Sequence, residues 1–317
     1  MASAEFEQNY NIFGAQSQQV NSIEIAEKYG FLPYRRRLRR GFRAHFSIRL
    51  DGVDLHIDSS PGEGWNLITH AHSDHHGSKN MKNSSAVASS ETAKILEITT
   101  RRKFSGMTFE VGSSLNLSGI KIKTYPTYHI KGAAAFLIKK ARVLITGDVK
   151  NWRSLPKCDV LVTEATYGHP SYTFEDEIDK LLSAAERGSV FGAYPIGKAQ
   201  RVAEILLNEG YEFTAERRIR SICEALGLKV GDSGSLIVPP RKLSRYRGYI
   251  LTAQRFYRWP RIVLSDHIDY SGILRMVEHC NAEHVIFYHG CPTKRLKEDL
   301  SGMGVSSSTL RDIDVYL

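Results

Sequence analysis

The sequence predicts a layered α/β protein, and three features carry that prediction. Two runs of alternating apolar residues open the ordered part of the chain, divided by a turn. Short apolar strands then alternate with helical stretches. Single polar residues, mostly His and Asp, stand at the ends of several of those strands.

The first run is "FRAHFSIRLDGVDLHID", with apolar side chains at Phe46, Ile48 and Leu50 and again at Val53, Leu55 and Ile57. Asp51-Gly52 between them tolerates the positive φ angles of a tight hairpin turn. "WNLITHAH" is a short apolar strand that runs into a cluster of histidines, and "ETAKILEITTRRKF" reads as a helix capped by Ser89 or Ser90. "GIKIKTYPTYH", "AAAFLIKK", "ARVLITGD" and "CDVLVTEATYG" supply four further strands. The character then changes. "SYTFEDEIDKLLSAAERG" is expected to be a helix with Phe174, Ile178, Leu181 and Leu182 on one face and acidic residues in its first turns. "SVFGAYPIGKAQRVAEILLNEGY" reads as strand, glycine turn and helix, and strands "SLIVPP" and "GYILTAQ" follow another helix. "RIVLSDHIDYSGILRMVEHCNAEHVIFYHG" closes the series as strand, loop, helix and strand.

A chain of 317 residues, 42% apolar and 24% charged, has material for one large domain or two and argues against disorder. No apolar run approaches the roughly 20 residues of a membrane span. The start "MASAEFEQNYNIFGAQSQQV" lacks the basic and apolar segments of a secretion signal. The four cysteines, Cys158, Cys223, Cys280 and Cys291, form no close pair, which fits a reducing compartment. These features lead us to expect a cytoplasmic protein with no membrane partner. A net charge of +9 leans toward a polyanionic partner. Residues 1–42, polar at first and Arg-rich in "YRRRLRRGFR", read as a lead-in to the first strand.

"THAHSDHHG" places four histidines and an aspartate between His70 and His76. Strand alternation sends His70 and His72 to the same side, and the following turn brings Asp74 and His75 to a neighbouring point. Imidazoles with a carboxylate suit Zn²⁺ and related divalent ions. Asp58, His129, Asp148 and His289 each end another apolar strand, so the rim of one sheet system can gather enough ligands for two metals.

The pattern H-x-H-x-D-H at 70–75, with His129 and Asp148 downstream, resembles the metallo-β-lactamase superfamily. That resemblance implies a four-layer αββα sandwich with a binuclear site between two sheets. His70, His72 and His129 would hold one metal, Asp74, His75 and His289 the other, with Asp148 bridging and Asp58 orienting ligands from behind. His76 has no counterpart and reads as a neighbour. Zinc is the first expectation for both ions and manganese the second.

Three later stretches resemble the β-CASP nucleases of that superfamily: "LVTEATYG", "VLSDHIDYSGIL" and "VIFYHG". "FGAYPIGKAQRVAEIL" is similar to the strand, turn and helix of their inserted domain. The resemblance implies a metallo-β-lactamase domain of residues 43–167 and 263–317, interrupted by a small α/β β-CASP insertion at 168–262. The metals would activate a hydroxide and clamp the scissile phosphate. His267 would donate the proton to the leaving oxygen, with Glu164 holding its tautomer, so that His267, Glu164 and Asp74 carry the catalytic roles.

Between Ser233 and Ser265 the chain has no acidic residue, and its arginines and lysine alternate with aromatic residues. Cations to neutralise phosphates and rings to stack bases make a surface for single-stranded DNA or RNA. Arg241, Lys242, Arg245, Arg255 and Arg258 are the contacts expected there. Gly197-Lys198, opening a helix, adds a possible phosphate cradle. The short insertion and the "GKAQ" and "SDHIDY" wording are closest to the compact exonucleases associated with DNA ligase. His289 at the third motif matches RNA-cleaving members such as messenger-RNA 3′-end processing factors. DNA-repair or RNA-processing proteins are the partner classes this implies. A small-molecule hydrolase on the same fold, or a non-catalytic nucleic-acid scaffold, are the rival readings.

Overall fold

The structure is a computed structural model, and it describes residues 20–35, 37–38, 41–42, 45–59 and 64–313. Residues 1–19, and Arg36, Arg39, Arg40 and Arg43 of the Arg-rich stretch, lie outside them, so much of the expected lead-in does too.

Helix α1 (Ser22–Tyr29) is closed at its start by Asn21, whose side chain accepts from Ile23 and Glu24 while Glu24 reaches back to the Asn21 N–H. It leads into β1 (Leu32–Tyr34), which pairs antiparallel with the first strand of the hairpin. Ile25, Phe31 and Tyr34 are buried, so residues 20–34 belong to the sheet and its core rather than to a lead-in. A helix of two turns and a three-residue strand are too short to show a period in the sequence.

β2 (Arg37–Leu38) and β3 (Gly41–Phe42) pair only with each other. β4 (Ser47–Leu50) and β5 (Val53–Ile57) form the expected hairpin, with Asp51 and Gly52 both at positive φ. With β6 (Trp65–Leu67), β7 (Ala86–Ser89) and β8 (Met107–Phe109) they make a six-stranded sheet in the order β1-β4-β5-β6-β7-β8. Helix α2 (Ser90–Thr100) is capped by Ser89, which accepts from the Thr92 N–H.

β9 (Ser114–Leu117), β10 (Ile120–Pro126), β11 (Ala134–Ile138), β12 (Val143–Ile145) and β13 (Val160–Ala165) build most of a second sheet. Before that sheet is completed the chain makes a third, all-parallel one from β14 (Val190–Gly192), β15 (Phe213–Ala215), β16 (Ser235–Val238), β17 (Gly248–Leu251) and β18 (Arg261–Ile262). Helices α3 (Ile178–Glu186), α4 (Lys198–Asn208) and α5 (Arg217–Ala225) pack on it around Phe191, Phe213 and Ile237. The chain then returns through α6 (Tyr270–Cys280), β19 (His284–Gly290), α7 (Lys294–Gly302) and β20 (Ser306–Thr309), giving the order β20-β19-β13-β12-β11-β10-β9.

One core joins the first two sheets face to face, with Ile48, Leu55, Ile57 and Leu67 meeting Ile122, Phe136, Ile145, Val162 and Ile286. Helices α6 and α7 cover the outer face of the second sheet through Ile273, Met276, Leu296 and Leu300. Helix α2 covers the first through Ile95 and Leu96, joined by Ile222 of α5. The protein is therefore an α/β sandwich of helix, sheet, sheet and helix, with a third sheet system set into it.

Helix α3 starts at Ile178, seven residues after the start of the stretch expected to be helical. The acidic residues before it are engaged elsewhere: the Asp176 carboxylate accepts the Ser265 N–H, and Glu177 accepts the Val263 N–H. Among the described residues no helix is long and apolar enough to cross a membrane.

Candidate metal centre and active site

The ligand candidates sit just beyond strand ends. Thr69, His70 and His72 follow β6, His129 follows β10, Asp148 follows β12, and His289 lies near the end of β19. Gly147 lets two of these turns approach. It adopts φ 64°, and a Cβ there would stand 2.6 Å from the Cβ and Oγ1 of Thr69.

Three ring nitrogens converge on one point. Nδ1 of His72 lies 3.1 Å from Nε2 of His70 and 3.1 Å from Nε2 of His129. Each ring commits its other nitrogen elsewhere. Nδ1 of His129 donates to the Asp266 carbonyl at 2.8 Å, and Nε2 of His72 donates to the Ile196 carbonyl at 3.2 Å. The Thr69 hydroxyl gives its proton to Asp58 at 2.8 Å, so it accepts from Nδ1 of His70 at 3.0 Å. The convergent nitrogens are thus left as lone pairs. Three buried lone pairs repel one another until a cation sits among them. Burial pushes the pKa of His70 and of His129 well below the usual histidine value, which keeps both rings neutral.

A second set gathers beside the first. Nδ1 of His75 donates to Asp58 at 2.8 Å, and its Nε2 is buried with no hydrogen-bond partner among the described residues. Nδ1 of His289 lies 3.2 Å from Asp148, and its Nε2 lies 3.4 Å from Asp74. The second Asp148 oxygen is 3.5–3.6 Å from His70, His75 and His129. Burial works to raise the Asp148 pKa, but His75, His289 and His129 outweigh it and hold it well below the carboxylate range. Asp74 is also lowered, first by its hydrogen bond to His289. Burial opposes charge on His289 too, yet the two carboxylates raise it to about 10. The donor set suits divalent cations: His70, His72, His129 and Asp148 could hold an ion together, as could Asp74, His75 and His289. His76 joins neither group.

Asp58 stands behind the ligands at φ 51°, almost fully buried, and Tyr288 donates its hydroxyl to the same oxygen that serves His75 and Thr69. His45 was not anticipated. Its ring centroid lies 5.8 Å from His75 and 6.4 Å from His289, and it sits at the polar start of a strand whose alternation directs attention to the apolar positions.

Glu164 and His267 meet as the motifs suggest, with Nδ1 of His267 at 2.7 Å from Oε2. The other Glu164 oxygen accepts the Val149 N–H at 2.7 Å. His267 forms part of the wall of two cavities. One, of about 420 Å³, also takes in His72, Asp74, Tyr167, Tyr194 and Arg218. The other, of about 720 Å³, includes His129, Tyr128, Trp152, Phe174 and Arg275.

Lys198, expected to cradle a phosphate, is buried. It donates to the Leu264 carbonyl at 2.8 Å and pairs with Asp266 at 3.3 Å. Gly197 before it takes φ 86° against Ile130, so the Gly-Lys turn packs onto the metal-centre loops instead of facing solvent. Around it runs an ionic seam that was not foreseen. Asp176 holds Arg201 at 2.6 Å and Lys150 at 2.7 Å, and Arg201 approaches Asp266 at 3.6 Å. Asp176 was hidden in an acidic run that reads as a helix start. The remaining expected contacts divide. Lys242 pairs with Glu216 at 2.6 Å, Arg255 donates to the Ser171 carbonyl, and Arg258 lies over the Trp259 ring. Arg241 and Arg245 are exposed.

The fold and site define an α/β sandwich whose clustered histidines and aspartates can hold divalent cations. No protein-family model matches the chain. A probable DNA ligase from Opitutus terrae is 24% identical over 277 residues, covering 72% of this chain. Endoribonuclease YSH1 from Gibberella zeae is 34% identical over 109 residues, 28% of this chain, and the Neurospora crassa protein ysh-1 is 32% identical over a similar length. The chain spans 27% of the length of the ligase and 13% of each endoribonuclease. A solved structure of a protein of unknown function from Enterococcus faecalis V583 superposes with a TM-score of 0.58 at 11% identity, over 78% of this chain and 91% of that one, and is similar in fold alone.

Proposed function

We propose that this chain is a metal-dependent nuclease of the metallo-β-lactamase β-CASP type, acting on single-stranded DNA or RNA and favouring attack from an end. The observation that carries the reading is the Glu164–His267 pair standing at the edge of a set of imidazole lone pairs and carboxylates. The stretches of similarity to a DNA ligase and to endoribonucleases support a nucleic-acid substrate.

His70, His72 and His129 would hold one ion, Asp74, His75 and His289 the other, and Asp148 would face both. Two divalent ions, when bound, supply water activation near neutral pH and neutralise charge on a scissile phosphate. The chain itself supplies orientation and a proton. Asp58 fixes His75 and, through Thr69, His70, so that lone pairs point inward. Glu164 holds Nδ1 of His267, leaving Nε2 as the nitrogen that carries a proton to a leaving oxygen. We assign the third sheet and its helices, within 168–262, as the β-CASP insertion that closes over the centre.

Digestion of 5′- and 3′-end-labelled single-stranded DNA and RNA tests the proposal. Metal-dependent release of product, lost in Asp148→Asn, is the expected result. Cleavage that survives both a chelator and Asp148→Asn overturns it. Hydrolysis confined to small esters, with no cleavage of either polymer, favours the small-molecule reading.

A further inference from the structure

Arg218 lines three cavities at once. It joins His72 and Asp74 in the cavity at the metal centre, Pro239 and Arg241 in a second, and Arg101 and Arg217 in a third of about 380 Å³. The third cavity lies between the end of α2 and the start of α5, two elements that no catalytic role explains. Building on the nuclease reading, we propose that single-stranded nucleic acid leaves the metal centre across Arg218 and is held along this third cavity by Arg217 and Arg101.

Charge pairing separates these cations from others on the surface. Lys150, Arg201, Lys242 and Arg220 each face a carboxylate within 4 Å. Arg101, Arg217 and Arg218 have no such partner among the described residues. Glu216 lines the same cavity, but Lys242 holds its carboxylate at 2.6 Å and the Arg218 N–H occupies its other oxygen at 3.0 Å. Both Glu216 oxygens are thus already engaged, and among the described residues no carboxylate forms an ion pair with the three guanidinium groups.

The fold gains nothing from two of them. Arg217 and Arg218 open α5, and its first turn has no acidic residue. A helix N-terminus is positive, so cations there are unfavourable by a few tenths of a kcal/mol. Arg101 ends α2 at φ 56°, a left-handed conformation that glycine takes more cheaply. Arg102 and Lys103 beside it are exposed as well. A row of phosphates fits these positions: it needs cations in series and no matching acids. Tyr194, half exposed between the metal-centre cavity and that of Arg241, offers a ring for a base at the branch point.

The test measures anisotropy of fluorescein-labelled phosphorothioate oligo(dT), a cleavage-resistant probe, on the metal-loaded full chain. Arg101→Gln with Arg217→Gln should weaken binding of a 20-mer about tenfold at moderate salt and flatten its log–log salt slope by about 1.4, from about 0.7 per lost phosphate contact. Binding of a tetramer, which fills the metal-centre cavity without reaching α2, should stay the same. Arg101→Glu with Arg217→Glu should deepen the 20-mer loss. An unchanged 20-mer affinity and slope overturns the proposal. So does equal weakening of tetramer and 20-mer, which would mark a disturbed centre. If the wild-type chain binds as described but cleaves no DNA, RNA or bis(p-nitrophenyl) phosphate, the nuclease reading fails and this track stands.

Discussion

Nδ1 of His267 lies 2.7 Å from Oε2 of Glu164, whose other oxygen is fixed by the Val149 N–H. The histidine therefore cannot turn without losing its hydrogen bond to a buried carboxylate that is fixed from its other oxygen. Burial alone would lower the His267 pKa, but the charge and hydrogen bond of Glu164, with Asp148 beyond, raise it to about 9. The imidazolium is thus present at neutral pH and is lost as pH rises through that value. Bound cations draw the limit downward.

His267→Ala should cut turnover about 10²- to 10³-fold with metal content unchanged. Glu164→Gln should cost less in turnover, but it should move the alkaline limb of the pH–rate profile down by about one unit or more. Profiles of the three proteins, with metal content measured in parallel, check both. An unmoved limb would sink the role given to Glu164.

Asp58 accepts from Thr69, His75 and Tyr288 and touches no metal position itself. Asp58→Ala should weaken metal affinity about 10- to 100-fold, because two ligand rings lose their orientation. Tyr288→Phe removes one donor and leaves both rings tied, so its loss should be several times smaller. Competition titration against a chromogenic chelator measures both.

The Asp176 seam should show in stability. Asp176→Asn leaves Arg201 and Lys150 facing each other with their side chains only about a fifth exposed. The expected cost is about 2–4 kcal/mol, somewhat below that of breaking a fully buried pair because water reaches the edge. Urea midpoints at constant slope measure it.

Acid sensitivity should trace in part to His284, remote from the metal centre. Its ring lies between Ser306 at 2.7 Å and Ser308 at 3.1 Å. Burial first, and then the Lys28 charge, lower its pKa to about 4. The unfolded chain takes up this proton near pH 6.5 and the folded chain only near 4, so the unfolded state binds more protons in that window. The stabilisation is complete above pH 6.5 and lost as pH falls toward 4, to a limit of about 3 kcal/mol. His284→Gln should flatten that slope in melts run from pH 7 to 4.

Much of the site was legible because its chemistry is dense and local. His70, His72, Asp74 and His75 fall within six residues, and Asp58, Asp148 and His289 are each polar residues ending an apolar strand. Glu164 and His267 were legible only through resemblance, since 103 positions separate them. The seam was hidden because ion pairing between distant elements leaves no period: Asp176 looks like a first-turn acid, and Lys198 like a free cation. Helix α1 and β1 were missed for a different reason: two helical turns and a three-residue strand give too short a pattern to read.

Asp266 has two faces. Its carbonyl accepts the His129 N–H, while its carboxylate faces Lys198 and Arg201 of α4. One residue thus belongs to the ligand shell through its backbone and to the inserted helices through its side chain. Any factor by which metal tightens this junction must, by equilibrium reciprocity, be the factor by which the junction tightens metal. Stripping the ions should speed hydrogen exchange along α4, so that a helix supplying no ligand reports whether the centre is loaded.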